Sequence, residues 1–230
     1  MQSDEWDGFS EDYDKKVFSL TSIPQRRKQI LDLINSGLIL NLGCGSATYL
    51  NKDLVKDNKV IATDFCQAML DIAQKNFQHP NLEYILADSK NLPFENESFD
   101  NIISVNSILP PERKEVYQMG KEINRVLKKD GKFIAFLVSY DSTQKGMKYF
   151  NMKLKIDDKQ LRVNDTIGWQ CYHTPDSIKD LMRKSNFQDY NFKKVFLKTK
   201  KEIQEIKRLY DINTSKSLIY EYLLVASKVL

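Results

Sequence analysis

Short apolar runs, each closed by a turn residue and separated by stretches of helical period, fill most of the chain between residues 23 and 198. The first run, Leu38–Leu42, passes directly into Gly43-Cys44-Gly45-Ser46-Ala47. A second, Lys59–Thr63, ends at Asp64; a third, Leu82–Ala87, ends at Asp88; a fourth, Phe99–Val105, ends at Asn106; a fifth covers Lys132–Ser139. Continuous apolar runs of this length are expected for strands buried on both faces, as in a parallel sheet. Between them apolar residues recur at helical spacing. Ile23, Ile30, Leu31 and Ile34 precede the first strand, and Thr48–Lys56 follows it. Phe65–Phe77 places Cys66, Met69, Leu70, Ala73 and Phe77 on one stripe. Pro110 and Pro111 open a helix whose face is Val116, Met119, Ile123, Val126 and Leu127. Ser22 and Gln25 make a capping box for the first helix, with Pro24 in its first turn; Gly37 and Gly131 are expected as helix stops.

Between Tyr140 and Cys171 the alternation is interrupted, and Lys153–Val163 is expected to form a hairpin around Asp157-Asp158. Thr174 and Pro175 then cap and open another helix. Phe187–Leu197 is a sixth strand, Ile203, Ile206, Leu209 and Tyr210 mark a short amphipathic helix, and Ser217–Ser227 is a last strand. No full crossover helix precedes that strand, so it is expected antiparallel beside the sixth. The fold class is therefore α/β: a Rossmann-like, doubly wound, seven-stranded sheet, mostly parallel with an antiparallel last strand and helices on both faces. One domain is expected over residues 1–230, with residues 1–20 as an amino-terminal arm and residues 140–173 as an insertion covering the substrate. Ligands of such sheets bind beyond the carboxyl ends of the strands. Gly43, Asp64, Asp88 and Asn106 all fall there.

Composition narrows the class. With 230 residues, 41% hydrophobic and 29% charged, the chain has the makings of one sizeable globular core. No window approaches the roughly 18 apolar residues of a membrane span. The acidic opening Met1-Gln2-Ser3-Asp4-Glu5-Trp6-Asp7 lacks the apolar segment of a secretory signal. Cys44, Cys66 and Cys171 are odd in number and have no metal-ligand spacing, which suits reduced thiols and a cytoplasmic protein; no metal is expected. Net charge is +4, with seven bases against two acids in residues 193–208. That stretch is either a nucleic-acid footprint or a solvated edge whose lysines prevent strand pairing; the second reading is preferred.

The chemistry centres on Leu38–Asp64. Glycines after a buried strand permit a sharp turn and a close ligand approach. Asp64 lies 21 positions after Gly43, where a nucleotide-binding βαβ unit sets an acid beside ribose hydroxyls. A dinucleotide fingerprint would end in Gly or Ala where this chain has Thr48, and no triphosphate-binding Gly-x-x-x-x-Gly-Lys-Ser/Thr loop is present.

In these residues the chain resembles the class I S-adenosylmethionine-dependent methyltransferases, in the branch that methylates small molecules. The matching elements are Leu40–Ser46, Asp64 with Cys66–Ala73, Ala87-Asp88-Ser89, Leu92-Pro93-Phe94 leading to Ser98-Phe99-Asp100, and Glu122–Lys132. The resemblance implies S-adenosylmethionine as cofactor, with S-adenosylhomocysteine as product. It implies that the loop of Asn41, Gly43, Cys44 and Gly45 passes under the methionine part. Asp64 would hold the ribose, Asp88 with Ser89 the adenine, and Asn106 would lie near the methionine; Phe65 and Met69 would wall the adenosine. Two positions depart from the family: Asn41 stands where an acid is usual, and Ala47 replaces a third glycine.

Methyl transfer from a sulfonium is an in-line displacement, in which alignment alone is worth about 7–11 kcal/mol. A general base is needed only where the acceptor arrives protonated. His173 is the candidate base, against the plainer reading of a turn residue bonding its neighbours. Tyr13 resembles an arm tyrosine that closes over cofactor, or is an aromatic clasp on the first helix. Phe18, Tyr140 and Trp169 are candidates for the acceptor pocket; Tyr140 and Trp169 equally suit packing of the insertion. The partner is a small-molecule methyl acceptor, with no membrane. A nucleic-acid acceptor is disfavoured because Asn106-Ser107-Ile108-Leu109-Pro110-Pro111 displaces the prolines of the expected Asp/Asn-Pro-Pro-aromatic tetrad. Asn41 and Ala47 keep open a catalytically silent cofactor-binding module. The acceptor and the oligomeric state are not written in the sequence.

Overall fold

The computed structural model describes residues 23–149, 153–165, 167–196 and 220–228. Its strands are β1 (Leu38–Leu42), β2 (Lys59–Asp64), β3 (Leu82–Leu86), β4 (Phe99–Val105), β5 (Leu127–Val138), β6 (Lys155–Asp157), β7 (Arg162–Asp165), β8 (Gly168–Cys171), β9 (Asp189–Phe196) and β10 (Tyr220–Ser227). The helices are α1 (Ile23–Leu31), α2 (Lys52–Lys56), α3 (Gln67–Asn76), α4 (Arg113–Val126), α5 (Tyr140–Tyr149) and α6 (Pro175–Lys184). Seven strands form one sheet in the order β3-β2-β1-β4-β5-β10-β9, and β6-β7-β8 form a small antiparallel sheet. Strands β1 to β5 run parallel, while β10 is antiparallel to both β5 and β9, as expected of the last strand.

Strand alternation sorts the core into two layers. Leu40, Leu42, Ile102, Phe133 and Ala135 pack on Val116, Met119 and Ile123 of α4 and on Ile178, Leu181 and Met182 of α6. Ile39, Ile103, Ile134 and Phe136 point the other way, against Ile30 of α1, Leu54 and Val55 of α2, and Leu70 and Ala73 of α3. Thr174 caps α6 with Pro175 at its start, as expected. The helix α4 opens on a capping box between Glu112 and Glu115.

Several boundaries differ from the sequence reading. Gly131 does not stop α4: the helix ends at Val126, and β5 begins at Leu127, runs through Gly131 and pairs Leu127 with Phe99 before its register shifts. Burial of Leu127 in the core draws the chain into the sheet a turn early. Likewise α1 ends at Leu31, well short of Gly37, which instead has φ +147° beside Asp100. The expected interruption after Tyr140 begins with α5, whose amide at Ser142 is met by Ser139 Oγ at 3.2 Å. Its polar sequence carries no apolar stripe to announce it. The hairpin on Asp157 forms as β6 and β7 and gains a third strand, β8. The arm, Ser22, the helix at 203–210 and most of the basic stretch lie outside the described residues; Lys193 and Lys194 stand exposed on the edge strand β9.

Candidate active site

At the carboxyl ends of β1 to β4 the chain forms one cleft. Its floor is the turn after β1, where Gly43 (φ +66°) and Gly45 (φ +54°) take left-handed backbone. A Cβ on Gly43 would overlap the Ser107 side chain, so glycine is required for space as well as for φ. Ser107 is itself fixed: its Oγ donates to the Leu42 carbonyl at 2.6 Å and lies 2.7 Å from Ser104 Oγ. The Cys44 N–H donates to Thr63 O at 2.8 Å, locking the turn to β2. Ala47 also adopts left-handed backbone (φ +66°), which costs an L-residue about 1–2 kcal/mol, and its methyl packs into the core under the turn.

Asp64 ends β2 and is 7% exposed. Its Oδ2 accepts the Gly45 N–H at 2.9 Å and its Oδ1 the Cys66 N–H at 3.1 Å. Burial raises its carboxyl above the usual range, while the Gly45, Cys66 and Phe65 amides oppose that rise. Three amides leave a carboxylate with acceptor capacity for a hydroxyl. Asp88, after β3, is half-exposed; its Oδ1 accepts the Lys90 N–H at 2.9 Å, and its Oδ2 lies 3.7 Å from Lys90 Nζ. Lys90 Nζ also donates to Glu115 Oε1 at 2.7 Å, a bond that raises the ammonium's pKa. Phe65 and Met69 wall the cleft near Asp64, and Ser89 and Lys90 near Asp88.

The opposite wall is Val105 to Ser107, Leu109, Pro110, Pro111 and Met119. Asn106 takes left-handed backbone (φ +54°) and donates its N–H to Phe136 O at 2.9 Å. The small sheet holds this wall from behind. The Cys171 N–H donates to Pro110 O at 2.9 Å, and Arg162 Nη1 donates to Pro111 O (3.2 Å) and Glu112 Oε1 (3.0 Å). Arg113 Nη2 donates to the carbonyls of Gln160, Leu161 and Tyr172 at 2.8, 3.0 and 2.6 Å.

Residues 39–131 match a family model described as a methyltransferase domain. The whole architecture superposes on a structure from Thermotoga maritima described as a SAM-dependent methyltransferase and possible histamine N-methyltransferase, at TM-score 0.69 and 20% identity over 99% of this chain and 100% of that one. The match places a methyltransferase-domain pattern over residues 39–131, and the chain as a whole has the fold of that SAM-dependent methyltransferase structure. A demethylmenaquinone methyltransferase of Lactococcus lactis is 27% identical over 213 residues, 82% of each protein. A Mus musculus protein named "Probable tRNA methyltransferase 9B" is 29% identical over 115 residues, 50% of this chain and 24% of that one. Matches to other longer relatives likewise span only 21% and 26% of their lengths.

Gly43, Gly45, Asp64, Phe65, Met69, Asp88, Ser89 and Asn106 come together around the cleft. Asn41 and Cys44 do not line it; both are buried beneath the turn, where burial and then the charge of Asp64 push the Cys44 thiol well up. Nor does the structure bring His173 to the cleft. Its ring is fully buried with Nε2 at 3.1 Å from Ile108 O, which assigns the proton to Nε2, and burial followed by Arg113 pushes its pKa down to about 3. Tyr140 Oη donates to Asp158 Oδ1 at 2.6 Å, and Trp169 lies under the Arg162 guanidinium at 4.8 Å, so both pack within the insertion. Tyr13 and Phe18 lie outside the described residues. The sequence reading did not name Lys90, Ser107, Leu109, Pro110, Pro111 and Met119 as cleft residues. Pro110 and Pro111 carried a helix-start signal and Met119 a core signal, and only their tertiary placement adds the second role.

Proposed function

We propose that the protein transfers the methyl group of S-adenosylmethionine to a small-molecule acceptor at N, O or C. The observation that carries this reading is the row of polar groups along the cleft. Asp88, Asp64, the glycine turn and Asn106 sit at the ends of four adjacent strands, in the order in which a nucleoside with an amino-acid tail presents its donors. Asp64 would accept the ribose hydroxyls and Asp88 the adenine amine, with Phe65 and Met69 against the adenosine. Gly43 and Gly45 would let the backbone approach the tail. The cofactor supplies the activated methyl group; the protein aligns the acceptor and excludes water. Asn41 and Ala47, the two departures from the family, leave this row intact: Asn41 is off the cleft, and Ala47 keeps the left-handed turn.

The small-molecule acceptor is supported by the demethylmenaquinone methyltransferase relative, which matches over most of both chains. We assign no base role to His173, which is neutral and bonded to backbone away from the cleft. A cytoplasmic setting suits three buried free thiols, and among the described residues no helix is long and apolar enough to cross a membrane. The test is titration calorimetry with S-adenosylmethionine followed by an acceptor panel with S-adenosylhomocysteine as the readout. Binding and turnover are expected; absence of heat at millimolar cofactor would sink the proposal. A tRNA acceptor is the second reading, favoured by the relative named for that reaction. RNA binding that weakens steeply with salt would support it.

A further inference from the structure

On the α1 side of the sheet, four polar side chains from remote parts of the chain, Arg26, Tyr49, Asn106 and Glu221, are linked in a row. Arg26 of α1 is 1% exposed and Glu221 of β10 is 3% exposed. Arg26 Nη2 donates to Glu221 Oε2, and Nη1 donates to Tyr49 Oη at 2.6 Å. The guanidinium also lies over the Phe136 and Tyr49 rings, at 5.4 and 5.9 Å. The other carboxylate oxygen, Glu221 Oε1, accepts Asn106 Nδ2 at 2.8 Å. Asn106 Oδ1 is buried and has no hydrogen-bond partner among the described residues.

A buried ion pair adds little net stability, because desolvation offsets the attraction. This one does something more specific. Which way an amide points is set by its partners, and a carboxylate can only accept. Glu221 therefore takes the NH2 group of Asn106, and Arg26 keeps that carboxylate in place. The hydrogen-bonding capacity left to Asn106 is an acceptor, on a residue that lines the cleft. A buried acceptor without a donor is costly until a donor arrives.

The donor follows from the proposed cofactor placement, on which this step rests. From β3 to β4 the cleft crosses three strand spacings, roughly 14 Å. With adenine at Asp88 and ribose at Asp64, the remainder of the cofactor lies toward Asn106, and the one N–H donor it has left is its α-ammonium. We propose that Glu221, held by Arg26, is a positioning residue that presents the Asn106 amide oxygen to the α-ammonium of the cofactor.

Calorimetry with S-adenosylhomocysteine and its desamino analogue tests this. In Glu221→Gln the new amide can donate to Asn106 Oδ1, so the asparagine is free to turn. Affinity for S-adenosylhomocysteine is expected to fall about tenfold or more, and affinity for the desamino analogue to stay within about twofold of the wild type. Should Glu221→Gln fail to fold, Asn106→Gly suits φ +54° and is expected to give the same selective loss. Equal losses for both ligands, or no loss for either, overturn the proposal. A wild-type protein that binds neither ligand overturns the cofactor assignment itself, a result distinct from binding without selectivity.

Discussion

Around β2 the cleft is held by backbone that lies close in sequence. Asp64 takes the amides of Gly45 and Cys66, 19 and 2 residues away. Beyond β4 it is held by side chains reaching across the molecule: Arg113 to carbonyls 47, 48 and 59 residues on, and Asn106 to Glu221, 115 residues away. Short loops cost little entropy to close and present their amides as a fixed set, whereas the far wall exists only once the small sheet and β10 have docked. A preformed Asp64 end thus faces a wall whose shape depends on distant parts of the chain. Alteration of the part of the wall held by Arg113, away from Asn106, should therefore change stability before it changes affinity at the Asp64 end.

Arg113→Ala is the most severe way to break this division. It removes the guanidinium from the carbonyls of Gln160, Leu161 and Tyr172, of which Leu161 O keeps the Tyr172 N–H, and is expected to cost roughly 3 kcal/mol in a urea melt. The affinity of the folded protein for S-adenosylhomocysteine should change less than about threefold, since Arg113 shares no partner with Asp64 or Asn106. At the other end, Asp64→Ala is expected to lower cofactor affinity by about tenfold or more in calorimetry. If Arg113→Ala matched that loss, the two ends would be one unit.

The smallest effect concerns pH. The folded-state pKa of His173, about 3, lies below the ordinary histidine value near 6.5. The unfolded chain therefore takes up this proton first as pH falls. The stability contributed by the neutral ring is fully present above pH 6.5 and is lost progressively toward pH 3, at about 1 kcal/mol per pH unit. His173→Gln, which can still donate to Ile108 O, should flatten that part of the stability profile without moving cofactor affinity. Loss of turnover at pH 7 in a His173→Gln protein that binds cofactor normally would instead make His173 a participant in the chemistry.

What could be read in advance follows the same division. The apolar runs, the two-glycine turn, Asp64 at its distance from Gly43 and the acid after β3 are local features, so the succession of strands along the chain and the residues gathered at their carboxyl ends were legible in advance. Even there the boundaries moved where a core residue outweighed a local signal, as when burial of Leu127 began β5 ahead of Gly131. The helix α5 went unseen because its residues are polar and it is set by its place after β5.

Arginines in a sequence do not say which carbonyl they will meet, and a histidine before a helix cap does not say whether it will face solvent or core. Thus the wall built by Arg113 and Arg162, the complete burial of His173 and the chain from Arg26 through Glu221 to Asn106 were decided only by the tertiary structure. The sequence by itself determined the sheet, its glycine turn and the two carboxylates beside it, because each depends on residues within one βα unit. The fold decided the rest, because those groups become neighbours only when segments as far apart as α1 and β10 close on the same sheet.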